Sequence, residues 1–378
     1  MARETRVKAE VDVAVVGAGV VGLAAAAALA RRGRSVVLVE RESAIGRGAT
    51  SRNSEVVHAG LYYPEDSIKA RTCRVGRELL YARCEAWKVP YRRLGKLVVA
   101  CDDAEVGELE ALRDRGGRNG APGLAIVDAR RVAALEPAVR ARAALLSPDT
   151  GIVDAHAYTA SFLAEAAAHD AVLVCDTALV GVDARAGGFS LTVEHGADRQ
   201  TVCAAAVVNA AGLDADRVAA LAGLDVDRLG CRIHPCKGDY FALAPGAPLR
   251  LARLVYPVPS GAGLGVHATL DLGGRIRFGP DAEHVAVPRY DVAPEKAAGM
   301  ARAVARYLPA VRAEWLTPDF AGVRARLANP GEAFRDFVVA ERSAEGLPGW
   351  VDLIGIESPG LTAAAALGEE AGELLVSL

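Results

Sequence analysis

The sequence has no apolar stretch able to span a bilayer. Its longest, residues 11–30, is broken by Asp12 and several glycines and closed by Arg31 and Arg32, which argues against an integral membrane span. No apolar segment stands ahead of the first strand-like run, where MARETRVKAE is mostly charged or polar, so no signal peptide is expected. Lysine is scarce, with six among 44 basic residues, and neither sign of charge dominates: 47 acids give a formal net charge of -3. Without a run of five like charges, a nucleic-acid-binding stripe is not expected. The seven cysteines (73, 84, 101, 175, 203, 231 and 236) are odd in number and form no C-x-x-C pair, and the seven histidines are equally dispersed. Neither a disulfide scaffold nor a metal site is expected, and a reducing, cytoplasmic setting is. Repeats and low-complexity linkers are also missing, apart from a richness in alanine.

What is present is enough for packed cores. The 378 residues are 52% hydrophobic and 24% charged, which rules out disorder as the main state and suggests two domains.

The first motif is local and complete. Residues 11–16 (VDVAVV) form a β-branched run, followed by Gly17-Ala18-Gly19-Val20-Val21-Gly22, an Ala-rich helix over 23–32, the stop Gly33 and a second strand over 35–39 that ends on Glu40. Strand, G-x-G-x-x-G, helix, strand and acid together form a dinucleotide-binding unit. Gly17 makes the tight turn, Gly19 lets the backbone approach a pyrophosphate, and Gly22 lets the helix pack on the strand. The helix start offers N–H groups and partial positive charge to the phosphates. An acid at Glu40 accepts from ribose hydroxyls and disfavours a 2′-phosphate, so FAD or NAD is expected over NADP.

The residues after Glu40 favour FAD. From Arg41 to Pro64 the chain is rich in Gly, Ser, Thr, Asn and Arg and too long for a plain connection. It suits a loop that wraps a pyrophosphate and reaches a flavin ring. The segment TSRNSEVVHAGLYYPEDSIKARTC (50–73) resembles the D-amino-acid-oxidase-type flavoproteins, and within them the L-2-hydroxyglutarate dehydrogenases and oxidases. A more distant similarity is to glycerol-3-phosphate dehydrogenases. GKLVVA (95–100), DTGIVDAHAY (149–158), VVNAAGLDADRVA (207–219), CKGDYF (236–241), the long stretch 255–281 and GIESPGLTAAAALGE (355–369) are similar to the same branch, in its order. Two departures stand out. Gly48-Ala49-Thr50-Ser51 replaces the usual Gly-Thr-x-x-Ser or Ser-Ser step, and Arg326 stands where relatives often carry Pro-Lys.

The expected fold class is α/β (α+β): a discontinuous Rossmann-like FAD domain with a second, mostly antiparallel β-sheet domain for substrate. The FAD domain is expected over 1–88, 150–220 and 345–378, and the substrate domain over 89–149 and 221–344. Residues 170–174 and 177–182 would complete the first, and Gly273-Gly274 reads as a hairpin turn in the second. Expected contacts to the cofactor are Gly17, Ala18, Gly19, Val20, Val21, Gly22, Glu40, Arg41, Thr50, Ser51, Arg52, Asn53, Ser54, His58, Val180, Ala211, Gly212, Gly360, Leu361 and Thr362. The helix beginning near Leu361-Thr362 would stabilise negative charge on a reduced flavin.

Flavin redox chemistry needs a substrate C–H held at N5 and one proton managed by the protein. A histidine near its ordinary pKa suits the proton. The resemblance implies His267 as base and places His58 beside the flavin. The other five histidines, 156, 169, 195, 234 and 284, read as structural. A small-molecule acid needs cationic anchors, and arginine binds carboxylate bidentately. Arg324 resembles the position that holds the substrate carboxylate, while Lys69, Arg277, Arg326 and Tyr256 are further candidates for the distal carboxylate or the hydroxyl. Oxidation of L-2-hydroxyglutarate is the leading expectation. An amine or amino-acid oxidase on the same fold, and an FAD-binding protein without turnover, are the alternatives. Oxygen, a quinone or a carrier protein could each accept the electrons, and the oligomeric state is open.

Overall fold

Small residues dictate the first layer. In the computed structural model, which describes residues 10–259, 265–332 and 334–376, the Ala-rich run is the helix Val20–Arg31, buried along most of its length. It lies against the first sheet and packs on the helices Ala155–Ala168 and Gly360–Val376. Alanine and glycine permit that closeness: a Cβ on Gly368 would stand 2.5 Å from the Ala24 carbonyl carbon. The helix begins three residues earlier than the sequence pattern suggests, inside the glycine motif itself.

The first sheet has eight strands. Its parallel centre is Val11–Val16, flanked by Val36–Val39 on one side and Asp198–Asn209 on the other, with Val13 opposite both Val36 and Ala206. Val172–Val174 extends it beyond Val36–Val39, and Leu347–Ile354 pairs in parallel with the end of Asp198–Asn209. An antiparallel extension runs through Gly188–His195 to Thr177–Arg185. One segment falls differently from the sequence division at 344. Val338–Arg342 pairs antiparallel with Leu347–Ile354 in this first sheet. The reason is a buried polar knot: Arg342 Nε donates to Asp352 Oδ2 at 2.8 Å, while Asp352 Oδ1 accepts from Trp350 Nε1 and Asn209 Nδ2. Asp352 is fully buried, so removing the arginine would leave a carboxylate without its counter-charge.

The second sheet has nine strands, antiparallel apart from Leu254–Pro257 beside Lys96–Ala100. Its two longest members, His234–Leu243 and Leu316–Arg326, pair with Cys236 opposite Arg324 and Gly238 opposite Gly322. The hairpin at Gly273-Gly274 joins His267–Leu270 to Ile276–Gly279, with Gly274 at φ +83°. The expected start of the preceding strand near Leu264 lies outside the described residues, as does the charged stretch before Glu10. Mixed parallel and antiparallel sheets with flanking helices make this an α/β (α+β) fold, a Rossmann-like unit joined to a second sheet. Among the described residues, no helix is long and apolar enough to cross a membrane.

Candidate active site

One cavity of about 1500 Å³ runs along both sheets, from Glu40 at one end to His267 and Arg324 at the other. Small-molecule sites are commonly about 300–1,000 Å³, so this space suits a ligand larger than a simple metabolite.

At the Glu40 end the glycine motif fixes the geometry. Gly17 has φ +100°, and a Cβ there would lie 2.6 Å from the Ala210 oxygen. At Gly22 it would stand 1.9 Å from the Gly17 oxygen, whereas at Gly19 it would meet only Thr50 Oγ1, at 3.3 Å. Gly19 opens to the cavity, and Gly22 is buried beneath the turn. Ala18 is also buried, its N–H donating to Glu40 Oε2 at 2.7 Å, while Glu40 Oε1 accepts from the Glu42 N–H at 2.9 Å. These bonds aim the carboxylate and leave each oxygen acceptor capacity. Val20, Val21 and the small residues Ala211 and Gly212 line the same end, as does Arg41, which pairs with Asp214.

The loop after Glu40 folds back along the cavity. Thr50 Oγ1 accepts from the Val20 N–H at 3.1 Å, and Asn53 ties the loop to itself through Thr50 O and the Glu55 N–H. Ser54 bonds the Tyr240 hydroxyl at 2.8 Å. Arg52 lies over the Tyr290 ring, and its carbonyl passes so close to Gly322 that a Cβ there would stand 2.2 Å away. Ser51 faces outward, bonding only Gly48 O, and does not line the cavity.

At the far end, strand register assembles the chemistry. Val255 pairs with Ala268, which puts Tyr256 opposite His267 on one face, and their rings stack at 3.5 Å between centroids. Both line the cavity, with His267 only 7% exposed. His58 Nε2 meets Ser358 Oγ at 3.2 Å, and its backbone N–H donates to Thr362 Oγ1. Burial, together with the charge of Lys96, pushes the His58 imidazole down to about 3, so it is neutral at ordinary pH. Arg324 donates to Cys236 Sγ at 3.3 Å and to the Asp281 carbonyl at 2.8 Å. Gly238 makes room for it, since a Cβ there would lie 2.7 Å from Arg324 Nη2.

The sequence pattern of the DAO family, FAD dependent oxidoreductase, matches residues 12–374. The chain belongs to this family. It is 36% identical to the mitochondrial L-2-hydroxyglutarate dehydrogenase of Arabidopsis thaliana over 404 residues, covering 97% of this chain and 83% of that one. Identity to the Homo sapiens enzyme of the same name is 33%, over 72% of this chain and 60% of the relative. Among solved structures, the FAD-bound L-α-glycerophosphate oxidase of Mycoplasma pneumoniae matches with a TM-score of 0.87 and 25% identity, covering 97% of this chain and 94% of that one.

The cofactor of this DAO-family oxidoreductase is FAD, and the cavity fits it on three counts: the glycine turn with no room for a Cβ, the aimed Glu40 carboxylate, and a length reaching from one sheet to the other. Besides Ala18, Gly22 and Ser51, three expected site residues, Val180, Thr362 and Arg277, do not line the cavity, and Lys69 lines it but is held by other groups. Val180 is skipped by a β-bulge between Leu179 and Gly181, and Thr177, Ala178 and Leu179 line the wall instead. Thr362 is buried behind Gly360 and Leu361, which do line the cavity, and its hydroxyl donates to Val56 O. Arg277 is turned away by strand alternation and pairs with Asp319 and Asp271. Lys69 touches the cavity but is engaged by Glu357 and Arg335 O, both at 2.9 Å.

Sequence reasoning missed Tyr240, Glu357 and Lys96. All three lie within segments that carried the resemblance, CKGDYF, GIESPGLTAAAALGE and GKLVVA, and only tertiary contact distinguishes them there. Lys96 lies behind the wall, its ammonium 4.8 Å from the centroids of both Tyr62 and Tyr256. It makes no ion pair among the described residues, and burial pushes it down to about 7. A lysine with a depressed folded pKa binds fewer protons than the unfolded chain between about 7 and 10.5, so stability rises with pH across that window and is lost as pH falls through 7. Lys96→Met is expected to melt above the wild type at pH 6, with the gap closing by pH 10. Thermal melts across that range check this; a constant gap would show that Lys96 does not titrate there.

Proposed function

We propose that this oxidoreductase converts an L-2-hydroxy acid, with L-2-hydroxyglutarate as substrate, into the 2-oxo acid. The observation that carries the reading is Arg324. Its guanidinium bonds only neutral acceptors, a thiol and a carbonyl, and makes no ion pair among the described residues, so it faces the cavity that holds His267 with its charge uncompensated. A substrate carboxylate supplies that charge. The relatives named L-2-hydroxyglutarate dehydrogenase support the choice of acid.

Glu40 would hold the ribose, the Gly17–Gly22 turn and the start of the following helix the pyrophosphate, and the 50–58 loop with Gly360 and Leu361 the ring. When bound, FAD would supply the acceptor for the hydride leaving substrate C2. Arg324 orients the carboxylate, and His267 takes the hydroxyl proton as the C–O bond becomes a carbonyl. Tyr256 holds the imidazole plane by stacking. Burial keeps the Tyr256 hydroxyl well above its ordinary pKa, so it stays protonated. The neutral His58 serves as a polar wall and does not take up a second ring proton at pH 7. The setting is read as cytoplasmic because all seven cysteines are free thiols.

The test is anaerobic titration of the yellow protein with L-2-hydroxyglutarate, its D-enantiomer, glycine and sarcosine. Bleaching of the flavin band near roughly 450 nm by the L-hydroxy acid alone is the expected result. Bleaching by an amine instead would overturn the substrate class and keep the family.

A further inference from the structure

We infer that Lys96 is a positioning residue that raises the reduction potential of the bound FAD, by holding a positive charge behind the wall that faces the flavin ring. The inference goes beyond the reading above: it rests on the ring lying at the His267 end of the cavity and holds whichever acid is oxidised.

Strand register places the charge. Lys96–Ala100 pairs with Leu254–Pro257, with Lys96 opposite Leu254 and Val98 opposite Tyr256. Side chains two residues apart share a face, so Lys96 and Tyr256 stand on the same side of the sheet. The strand His267–Leu270 flanks Leu254–Pro257 on its other side. The Tyr256 ring therefore stacks on His267 at 3.5 Å between centroids and also carries the Lys96 ammonium, 4.8 Å from its centroid. The same ammonium lies 4.8 Å from the centroid of Tyr62. Tyr62, Tyr256 and His58 line the cavity, and Lys96, only 1% exposed, sits behind them.

Among the described residues, the groups around this ammonium supply no counter-charge. Burial pushes the Cys73 thiol, on the helix Ile68–Trp87, up to about 12. It holds the Tyr62, Tyr63 and Tyr256 hydroxyls well above the usual phenol range and keeps His58 uncharged. Asp149 is bound by Arg77 and Arg93, and Glu357 by Lys69. A buried cation without a partner costs stability, and a methionine would fill the same space. Substrate oxidation gives that charge a use. The C2 hydrogen leaves with two electrons as a hydride, and the hydroxyl proton goes to a base. The cofactor side of the cavity then holds one more negative charge, which a fixed cation in a poorly screening wall favours. Lys96 loses its proton from about 7 upward, so the effect is full at pH 6 and fades as pH rises. Above pH 7, reduction in turn raises the proton affinity of the amine, which binds a proton from solvent.

The experiment measures the reduction potential of the FAD-loaded protein against an indicator dye, without substrate, at pH 6, 8 and 10. Lys96→Met is expected to lower the equilibrium constant for two-electron reduction by at least about tenfold at pH 6, which is about 30 mV. The gap is expected to narrow towards pH 10, where the wild-type amine has lost its proton. Lys96→Arg, which keeps its charge throughout, is expected to match the wild type at pH 6 and to exceed it at pH 10. Lys96→Met is also expected to melt above the wild type at pH 6, so a lowered potential there does not come from a loosened fold. Should the Met variant retain no cofactor, Lys96→Gln carries the same comparison. An unchanged potential in the Met or Gln variant at pH 6 overturns the inference, and so does a gap of equal size at all three pH values. The hydroxy-acid reading is judged separately, by whether L-2-hydroxyglutarate bleaches the wild-type flavin.

Discussion

His267→Ala is expected to slow flavin reduction by about 100-fold or more, while the protein stays yellow and melts as the wild type does. The size follows from general base catalysis, which typically contributes about 10²–10⁴-fold. The position follows from register: Tyr256 and His267 are cross-strand partners in the second sheet, and the stacked ring fixes the imidazole at the cavity wall. His58, the other histidine of the cavity, does not substitute for it. With its pKa pushed down to about 3, it is a poor proton acceptor at pH 7. Rapid mixing with L-2-hydroxyglutarate under anaerobic conditions measures the reduction step alone. Wild-type rates in the variant would falsify the role of His267 as base. A pH profile adds a second check, because the slow residual rate of the variant should rise steadily with pH as hydroxide takes over the proton.

The second large effect concerns cofactor retention. Gly22→Val is expected to yield colourless protein with a lowered melting temperature. A Cβ at this position would stand 1.9 Å from the Gly17 carbonyl oxygen, a backbone atom that cannot swing aside. The helix Val20–Arg31 would have to retreat from the turn, taking with it the N–H groups that face the pyrophosphate. Gly19→Ala is the contrast within the same motif. Its Cβ would meet only a hydroxyl oxygen at 3.3 Å, so the folded protein should melt normally whatever its affinity for FAD. The ratio of flavin to protein absorbance after purification, with a thermal melt, separates the two. Equal flavin content in the Gly22→Val variant and the wild type would mean that the close helix packing is dispensable.

These effects differ in how far they could be read from the residues alone. The nucleotide-binding unit was legible because it is local: strand, turn, helix, strand and acid follow one another within 30 residues, from Val11 to Glu40, and each has its own pattern. The two-sheet organisation was also legible, from the alternation of short strand-like runs with helical segments. Its least certain edge was the stretch after Phe337, which looks like one more antiparallel strand of the second unit. Its antiparallel pairing with Leu347–Ile354, together with the buried bond from Arg342 to Asp352, assigns it to the first sheet.

The candidate site divides in the same way. Glycines 17, 19 and 22 and Glu40 could be placed from sequence because their contacts lie within the motif. Arg324 was set ahead of Arg277 by resemblance alone, with no physical reason visible in the residues. Pairing supplies one: Arg277 meets Asp319 and Asp271, while Arg324 meets a thiol and a carbonyl and keeps its charge for a ligand. Lys69 and Glu357 are separated by nearly the whole chain, so the ion pair that engages Lys69 has no local sign. Val180 was displaced by a bulge of one residue. By itself, the sequence determined the nucleotide-binding unit, because that rests on short-range periodicity and turn chemistry, while FAD and the family were implied by the resemblance of its longer segments. The tertiary structure alone decided which cations remain uncompensated at the cavity wall, because charge balance depends on partners that only folding brings together.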